Sequence, residues 1–411
     1  MRLPPLVEPS PEPLTREEIE RYQRHLSLPG FGPDAQARMK AARALVIGAG
    51  GLGTPVLQYL AAAGIGTVGV VDDDLVDVSN LQRQLLHGTD DLGRAKVDSA
   101  RDTVHRLNPF VRVVRHNERL TDANAVGLVG AYDLVLDGAD NFATRYLVAD
   151  AAEITGRPVV WGSILRFEGQ VSVFWSTKGP AYRDLYPEPP DPGSVPSCAE
   201  GGVLGVLPGL VGTLMATEAI KLITGIGEVL LGRMLLVDAL GARFRSLTVA
   251  RDPDRVPVTS VEPVTAACAL PGPPGAPGAP GAGGGLGASE PADPDTVDAA
   301  GLRDLLNRRE QGLADVAVVD VREDWERALH AVPGSIHLPL ARITADGYAA
   351  LPPQARGRDL VLYCKAGARS ATALERLRPA YATREERLRH LAGGIDAWLA
   401  AQPPPAPAGQ G

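Results

Sequence analysis

The chain has 411 residues, 45% of them hydrophobic and 22% charged, with a formal net charge of −8. That length accommodates two or three domains with ample core, and the composition reads as soluble and globular. The negative balance argues against nucleic acid as the main partner, no stretch reads as a long uncharged membrane span, and the first residues lack the apolar core of a secretory signal. The cysteines Cys198, Cys268 and Cys364 form no C-x-x-C pair and no even framework, which fits a cytoplasmic chain with reactive or incidental thiols.

Residues 1–14 are rich in proline and are expected to be a disordered tail. A helix should begin after Thr15, where Thr15 and Glu18 have the spacing of a capping box. It carries Arg21, Tyr22 and Arg24, and its plainest reading is a solvated amphipathic helix. Next comes an apolar strand, Ala44 to Ile47, then the turn Gly48-Ala49-Gly50-Gly51-Leu52-Gly53. Pro55 suits the first turn of the following helix, whose apolar stripe is Val56, Leu57, Leu60 and Ala61. A second strand, Thr67 to Val71, ends on Asp72. This is a βαβ unit with glycines at the G-x-G-x-x-G positions and an acid about 20 residues further on. Glycine permits the tight turn, the helix N-terminus favours phosphate, and Asp72 can accept hydrogen bonds from ribose hydroxyls.

Alone, the motif favours an NAD- or FAD-dependent oxidoreductase. The residues after Asp72 point elsewhere: Asp74, then Ser79-Asn80-Leu81-Gln82-Arg83-Gln84, then Arg94 and Lys96. A polar and cationic cluster just past the ribose acid suits a triphosphate. A helix from about Ala95 to Leu107 and a strand near Val111 to Val114 follow. The strand Tyr132 to Leu136 leads into Asp137-Gly138-Ala139-Asp140-Asn141. Ligands collect at the carboxyl ends of strands in open α/β sheets, so Asp140 is a site candidate; its other reading is a helix N-cap. Strands at Pro158 to Ser163 and Gln170 to Trp175 precede a long Pro/Gly loop, 176–208, that holds Cys198, and loops of that length are usually functional or disordered. A helix from about Leu210 to Thr224 and strands near Met234 to Asp238 and Phe244 to Val249 close the first domain.

Segment 271–294 is a Pro/Gly linker; it spans roughly 25–30 Å as a coil and roughly 75 Å in polyproline form, enough for one domain to swing over the other. A small α/β domain follows at about 295–401. Strands are expected at Val316 to Val319 and Leu360 to Tyr363, with helices at 297–309, 370–377 and 394–401. In the loop Cys364-Lys365-Ala366-Gly367-Ala368-Arg369-Ser370, a helix N-terminus, loop N–H groups and Arg369 would lower a thiol pKa and hold a persulfide anion. The C-x4-R spacing disfavours the C-x5-R cradle of a phosphatase.

The first stretch resembles the ubiquitin-activating-like adenylyltransferase family, nearest the enzymes that activate sulfur carriers for molybdopterin or thiamine synthesis. DVRE at Asp320, GSIHLPL at Gly334, LYCKAGARS at Leu362 and LAGGIDAW at Leu391 resemble a rhodanese domain. The resemblance implies a Rossmann-like ATP-binding adenylyltransferase domain (15–265), a linker (266–294), a rhodanese domain (295–401) and a disordered tail (402–411). It implies ATP and Mg²⁺ at Gly48, Gly50, Gly51, Gly53, Asp72, Asp74, Ser79, Asn80, Leu81, Gln82, Arg83, Lys96, Asp140 and Asn141, with Mg²⁺ near Asp140. Arg24 would reach into a partner subunit, making a homodimer. Cys198 would form a thioester or mixed disulfide, and Cys364 would carry persulfide sulfur.

Many relatives hold zinc with two C-x-x-C pairs. Here Ala181 and Asp184 occupy the first pair's spacing, and the stretch beginning at Arg251 has no cysteine for the second, so zinc is not expected. The implied partners are small ubiquitin-like carriers ending in Gly-Gly and a sulfur donor, thiosulfate or a cysteine desulfurase, with no nucleic acid and no membrane. The implied activity is adenylation of the carrier's C-terminal glycine followed by sulfur transfer to give a thiocarboxylate, for molybdopterin, thiamine, cysteine or secondary-metabolite sulfur. The alternatives are a dinucleotide-dependent oxidoreductase with an appended rhodanese module, and a scaffold with an inactive one.

Overall fold

A computed structural model describes residues 1–190, 202–261 and 295–402. The expectations for Cys198, Cys268, the linker and the last residues therefore lie outside the described residues. The chain divides into two units at residues 269 and 270.

The first unit is built on β1 (Arg43–Ile47), α3 (Gly53–Ala62) and β2 (Thr67–Val71). Before them lie α1 (Arg16–Leu26) and α2 (Gly32–Ala41), the latter not expected from the sequence. After them come α4 (Lys96–Leu107), β3 (Arg112–His116), α5 (Ala125–Gly130), β4 (Leu134–Asp137), α6 (Phe142–Thr155), β5 (Val159–Leu165) and β6 (Glu168–Phe174). A short α7 (Tyr182–Leu185), a long α8 (Val206–Thr224), β7 (Arg233–Asp238) and β8 (Arg243–Thr248) complete it.

The strands form one sheet in the order β3-β2-β1-β4-β5-β6-β7-β8. It is parallel from β3 to β5 and antiparallel from β5 to β8. Strand β1 is apolar throughout its last four residues because both faces are covered. Ala44 and Val46 join one core with α3 and α8, while Leu45 and Ile47 join another with Tyr146 and Trp161. The strand order reverses at β1 and β4, which makes the crevice at their carboxyl ends the natural ligand site.

Thr15 caps α1 and forms the expected capping box with Glu18. The preceding tail departs from expectation. Residues 1–14 lie against the first unit: Val229 N–H donates to Met1 O, Leu6 N–H to Leu222 O and Ser10 N–H to Ala37 O, at 2.9–3.0 Å. Leu3, Leu6 and Val7 pack on the core. The prolines obscured three apolar anchors that bury surface when the segment docks. Helix α8 carries Glu218 and Lys221, so its apolar run is not uncharged. It is long and apolar enough to cross a membrane. Here its buried residues Leu207, Val211, Met215, Ala219 and Leu222 belong to the core beside α3.

The second unit contains β9 (Thr296–Val297), α9 (Ala299–Glu310), β10 (Val316–Asp320), α10 (Asp324–Leu329), β11 (Ile336–His337), α11 (Leu340–Asp346), β12 (Asp359–Tyr363), α12 (Ala368–Tyr381), β13 (Leu388–Leu391) and α13 (Gly394–Ala400). Its parallel sheet runs β11-β10-β12-β13-β9. The expected strands β10 and β12 are its buried centre, and α9, α12 and α13 match the expected helices. Strands β9, β11 and β13 were not expected, nor were α10 and α11.

Candidate functional site

The glycine loop sits between β1 and β4. Gly48 has φ +85°, and a Cβ there would lie 3.3 Å from Gly138 O. A Cβ on Gly53 would fall 1.9 Å from Gly48 O, so the spacing of these glycines is a steric requirement. Helix α3 has no side-chain cap, which leaves amide groups at its N-terminus for a ligand. Two buried polar atoms beside this loop, Thr54 Oγ1 and Gln84 Oε1, have no hydrogen-bond partner. Gln84 Nε2 lies 3.6 Å from where a Gly50 Cβ would stand. Open amides and orphaned buried polar atoms fit a polar, anionic ligand such as a nucleotide.

Asp72 organises this loop. Its carboxylate accepts from Ala49 N–H at 2.8 Å and from Asp74 N–H at 2.9 Å. Burial pushes its pKa up, and Lys96 is the chief opposing influence. Lys96 is buried and donates to Asp74 Oδ2 at 2.7 Å, so it is not a surface charge. Arg83 donates to Ser79 O at 2.9 Å. Ser79 and Asn80 lie in a short 3₁₀ turn capped by Asp77: Ser79 Oγ donates to Asp77, and Asn80 Oδ1 accepts from Asp77 N–H. Leu81 follows that turn, and Gln82 packs against Gly205 at the start of α8. The structure thus brings Asp72, Asp74 and Lys96 together beside the glycine loop.

Asp140 is exposed just past β4. It does not cap α6; Asn141 does, accepting from Thr144 N–H at 2.8 Å. The carboxylate of Asp140 is therefore left at the carboxyl end of the strand. The residues behind it were not singled out from sequence. Asp137 is fully buried, accepts from Ala139 N–H at 3.0 Å, and is pushed by burial up to about 6, with Arg145 opposing. Arg145 donates to Ala139 O at 3.1 Å and to Ser163 Oγ at 2.9 Å. A buried cation thus braces the turn that carries Asp140. Arg24 lies exposed in the last turn of α1.

At the positions compared with a zinc site there is an ion-pair network. Asp184 accepts from Ala181 N–H and from Arg255 Nε, both at 2.7 Å. Arg255 also donates to Glu153 at 2.8 Å, and Arg251 to Gly179 O at 2.7 Å. These contacts tie α6, α7 and the segment after β8. Among the described residues no cluster of three or more His, Cys, Asp or Glu side chains is arranged to hold a metal.

In the second unit Cys364 follows β12 and is 1% exposed. Its sulfur accepts from Gly367 N–H at 3.1 Å and from Ser370 Oγ at 3.6 Å. Gly367 has φ +114°, which allows the curl. The Gly393-Gly394 pair closes the other side: Ile395 N–H donates to Cys364 O at 2.8 Å, and a Cβ on Gly394 would fall 2.5 Å from that oxygen. Arg369 makes a two-pronged pair with Glu326, at 2.6 and 2.7 Å. Glu326 went unnoticed in the sequence because it lies 43 residues from its partner.

Comparisons with known proteins agree with this division. The ThiF family matches residues 22–258 and the rhodanese-like domain residues 301–401. A protein of Mycobacterium tuberculosis named probable adenylyltransferase/sulfurtransferase MoeZ is 50% identical over 401 residues, covering 96% of each chain. The sulfur carrier protein adenylyltransferase of Thermus thermophilus is 55% identical over 254 residues, covering 61% of this chain and 93% of its own. The crystal structure of E. coli MccB aligns with a TM-score of 0.53 at 21% identity, over 61% of this chain and 75% of that one, a likeness of fold.

Proposed function

The chain belongs to the ThiF family and carries a rhodanese-like domain, and from that premise we propose how its residues adenylate a ubiquitin-like sulfur carrier and pass sulfur to it. The observation that carries the reading is the meeting of two intact sites in one chain: a glycine loop with Lys96 and Asp140 at the sheet's reversal point, and a thiol on a curled strand-to-helix loop. The whole-length similarity to an adenylyltransferase/sulfurtransferase supports it; nothing supports the oxidoreductase alternative.

In the first step the carrier's C-terminal carboxylate oxygen attacks the α-phosphorus of ATP, and pyrophosphate leaves with the electrons of the broken P–O bond. Two like charges about 4 Å apart repel by about 4 kcal/mol at an effective dielectric of about 20. Lys96 and Arg83 offset this, and Gly48, Gly50, Gly51 and Gly53 bring backbone amides to the phosphates. Asp72 receives the ribose, while Asp74, Ser79, Asn80, Leu81, Gln82 and Asn141 shape the phosphate side. Asp140 would hold Mg²⁺, which supplies charge neutralisation when bound. Arg24 acts on the partner's site in a homodimer; mixing inactive Arg24→Ala and Lys96→Ala chains should restore activity, and no recovery would exclude the role.

In the second step a persulfide on Cys364 attacks the acyl carbon and displaces AMP. A thiol, Cys198 or an external one, then breaks the S–S bond and leaves the thiocarboxylate. The helix N-terminus, the Gly367 amide and Ser370 stabilise the sulfur anion, with Arg369 nearby under the hold of Glu326. The donor is thiosulfate or a desulfurase. With Asp184 paired to Arg255, the protein should contain no stoichiometric zinc; one zinc per chain after dialysis would refute that.

The test of the reading is ATP–pyrophosphate exchange with carriers ending in Gly-Gly. Exchange that depends on such a carrier is expected. Tight NAD binding with no exchange would refute the reading.

A further inference from the structure

We propose that His87 is a positioning residue for the nucleotide phosphates, holding the peptide between Ala49 and Gly50 so that the Gly50 N–H faces the ligand. The inference rests on the ATP-dependent reading above.

His87 is buried beneath the glycine loop, outside every motif that drew attention in the sequence. One ring nitrogen, Nε2, lies 3.0 Å from Ala49 O. The other, Nδ1, lies 2.8 Å from Ser99 Oγ, one turn along α4 from Lys96. A carbonyl can only accept, so Nε2 must carry the proton. In the neutral ring Nδ1 is then bare and faces the Ser99 hydroxyl, which also bonds Asp91. Burial pushes the ring's pKa down, in keeping with that neutral form.

The consequence follows from the planar trans peptide. The C=O of Ala49 and the N–H of Gly50 belong to one peptide unit and point in opposite directions. Drawing the carbonyl inward to His87 turns the amide away from it. The Gly50 N–H meets no acceptor among the described residues, and Gly50 is half-buried rather than enclosed. The preceding peptide is fixed separately, by the Ala49 N–H bond to Asp72 at 2.8 Å. Two successive peptides of the loop are therefore oriented by two side chains. The second of these also ties the loop to the helix that carries Lys96.

The test is a titration of the full chain with Mg·ATP. His87→Leu should weaken ATP binding about tenfold, because the Ala49 carbonyl loses its donor in a buried place. His87→Gln, whose amide can still donate to that carbonyl, should recover binding to within about threefold of the unaltered chain. In exchange assays the loss should fall on KM for ATP and leave kcat nearly unchanged. Ser99→Ala leaves the buried Nδ1 without its hydroxyl partner, loosens the ring that holds Ala49 O, and should weaken ATP about threefold; it decides the matter if His87→Leu does not fold. ATP affinity unchanged in His87→Leu, or in Ser99→Ala, would overturn the assignment. So would a His87→Gln chain as weak as His87→Leu, which would mark a packing role. An unaltered chain that binds no ATP would instead defeat the adenylyltransferase reading on which the assignment rests.

Discussion

The loop Gly48–Gly53 and the loop Cys364–Ser370 both run from the carboxyl end of a buried parallel strand into a helix, yet different groups surround them. The first is ringed by charge: half-buried Asp72, buried Lys96 paired with the exposed Asp74, and buried Asp137 with Arg145 behind Asp140. At the second, the sulfur's direct partners are a backbone amide and a hydroxyl, and the nearby cation Arg369 is matched by Glu326. The difference follows from the reactants. Bringing a carboxylate to a triphosphate requires opposing charge in a fixed place. A single sulfur anion needs only dipoles aimed at one atom.

The sharpest way to break this comparison is at Asp140. Asp140→Ala should lower ATP–pyrophosphate exchange by about 10³-fold and leave thiosulfate sulfurtransferase activity of the same chain near normal. Equal losses in both assays would mean that the sites are not separable in the way their surroundings indicate.

A second prediction concerns the network at Asp184. Arg255→Ala strands two buried carboxylates, Asp184 and Glu153, and should destabilise the first unit by about 3–5 kcal/mol in urea unfolding. The second unit's transition should not move. A change under about 1 kcal/mol would show that the network does not hold the segment after β8.

A third, smaller effect depends on pH. The folded pKa of Asp137 is raised to about 6 from an ordinary 3.8, so the folded state holds its proton more tightly than the unfolded chain. Stability from this group is therefore present below about pH 4 and is lost as pH rises to about 6, by roughly 3 kcal/mol at most. Asp137→Asn should flatten that fall, seen as the difference between unfolding free energies of the two chains at pH 4.5 and pH 7. A difference that does not change with pH would contradict the shift.

Much of this was legible in the sequence because local rules carry it. The glycine spacing, the Thr15–Glu18 cap and the Cys364 loop are each set within a few residues, and the structure has them where expected. Lys96 was singled out from the sequence, but its burial and its pairing with Asp74 were not legible there. What escaped depends on distant partners. Arg255 meets Asp184 from 71 residues away, and Arg369 meets Glu326 from 43. His87 looks like any histidine until the fold places it under Ala49. The two-residue strands β9 and β11 are too short to show a period. The tail was misread because composition hid where Leu3, Leu6 and Val7 would land.

The central claim is that carboxylate activation and sulfur delivery are carried by different sites on different units. The most direct test is the intact mass of a Gly-Gly carrier after a single turnover with ATP and a persulfide donor, using Cys364→Ala. The account predicts carrier that is adenylated but not converted to thiocarboxylate, with added free sulfide completing the conversion. Thiocarboxylate formed from the persulfide donor at the rate of the unaltered chain would contradict it.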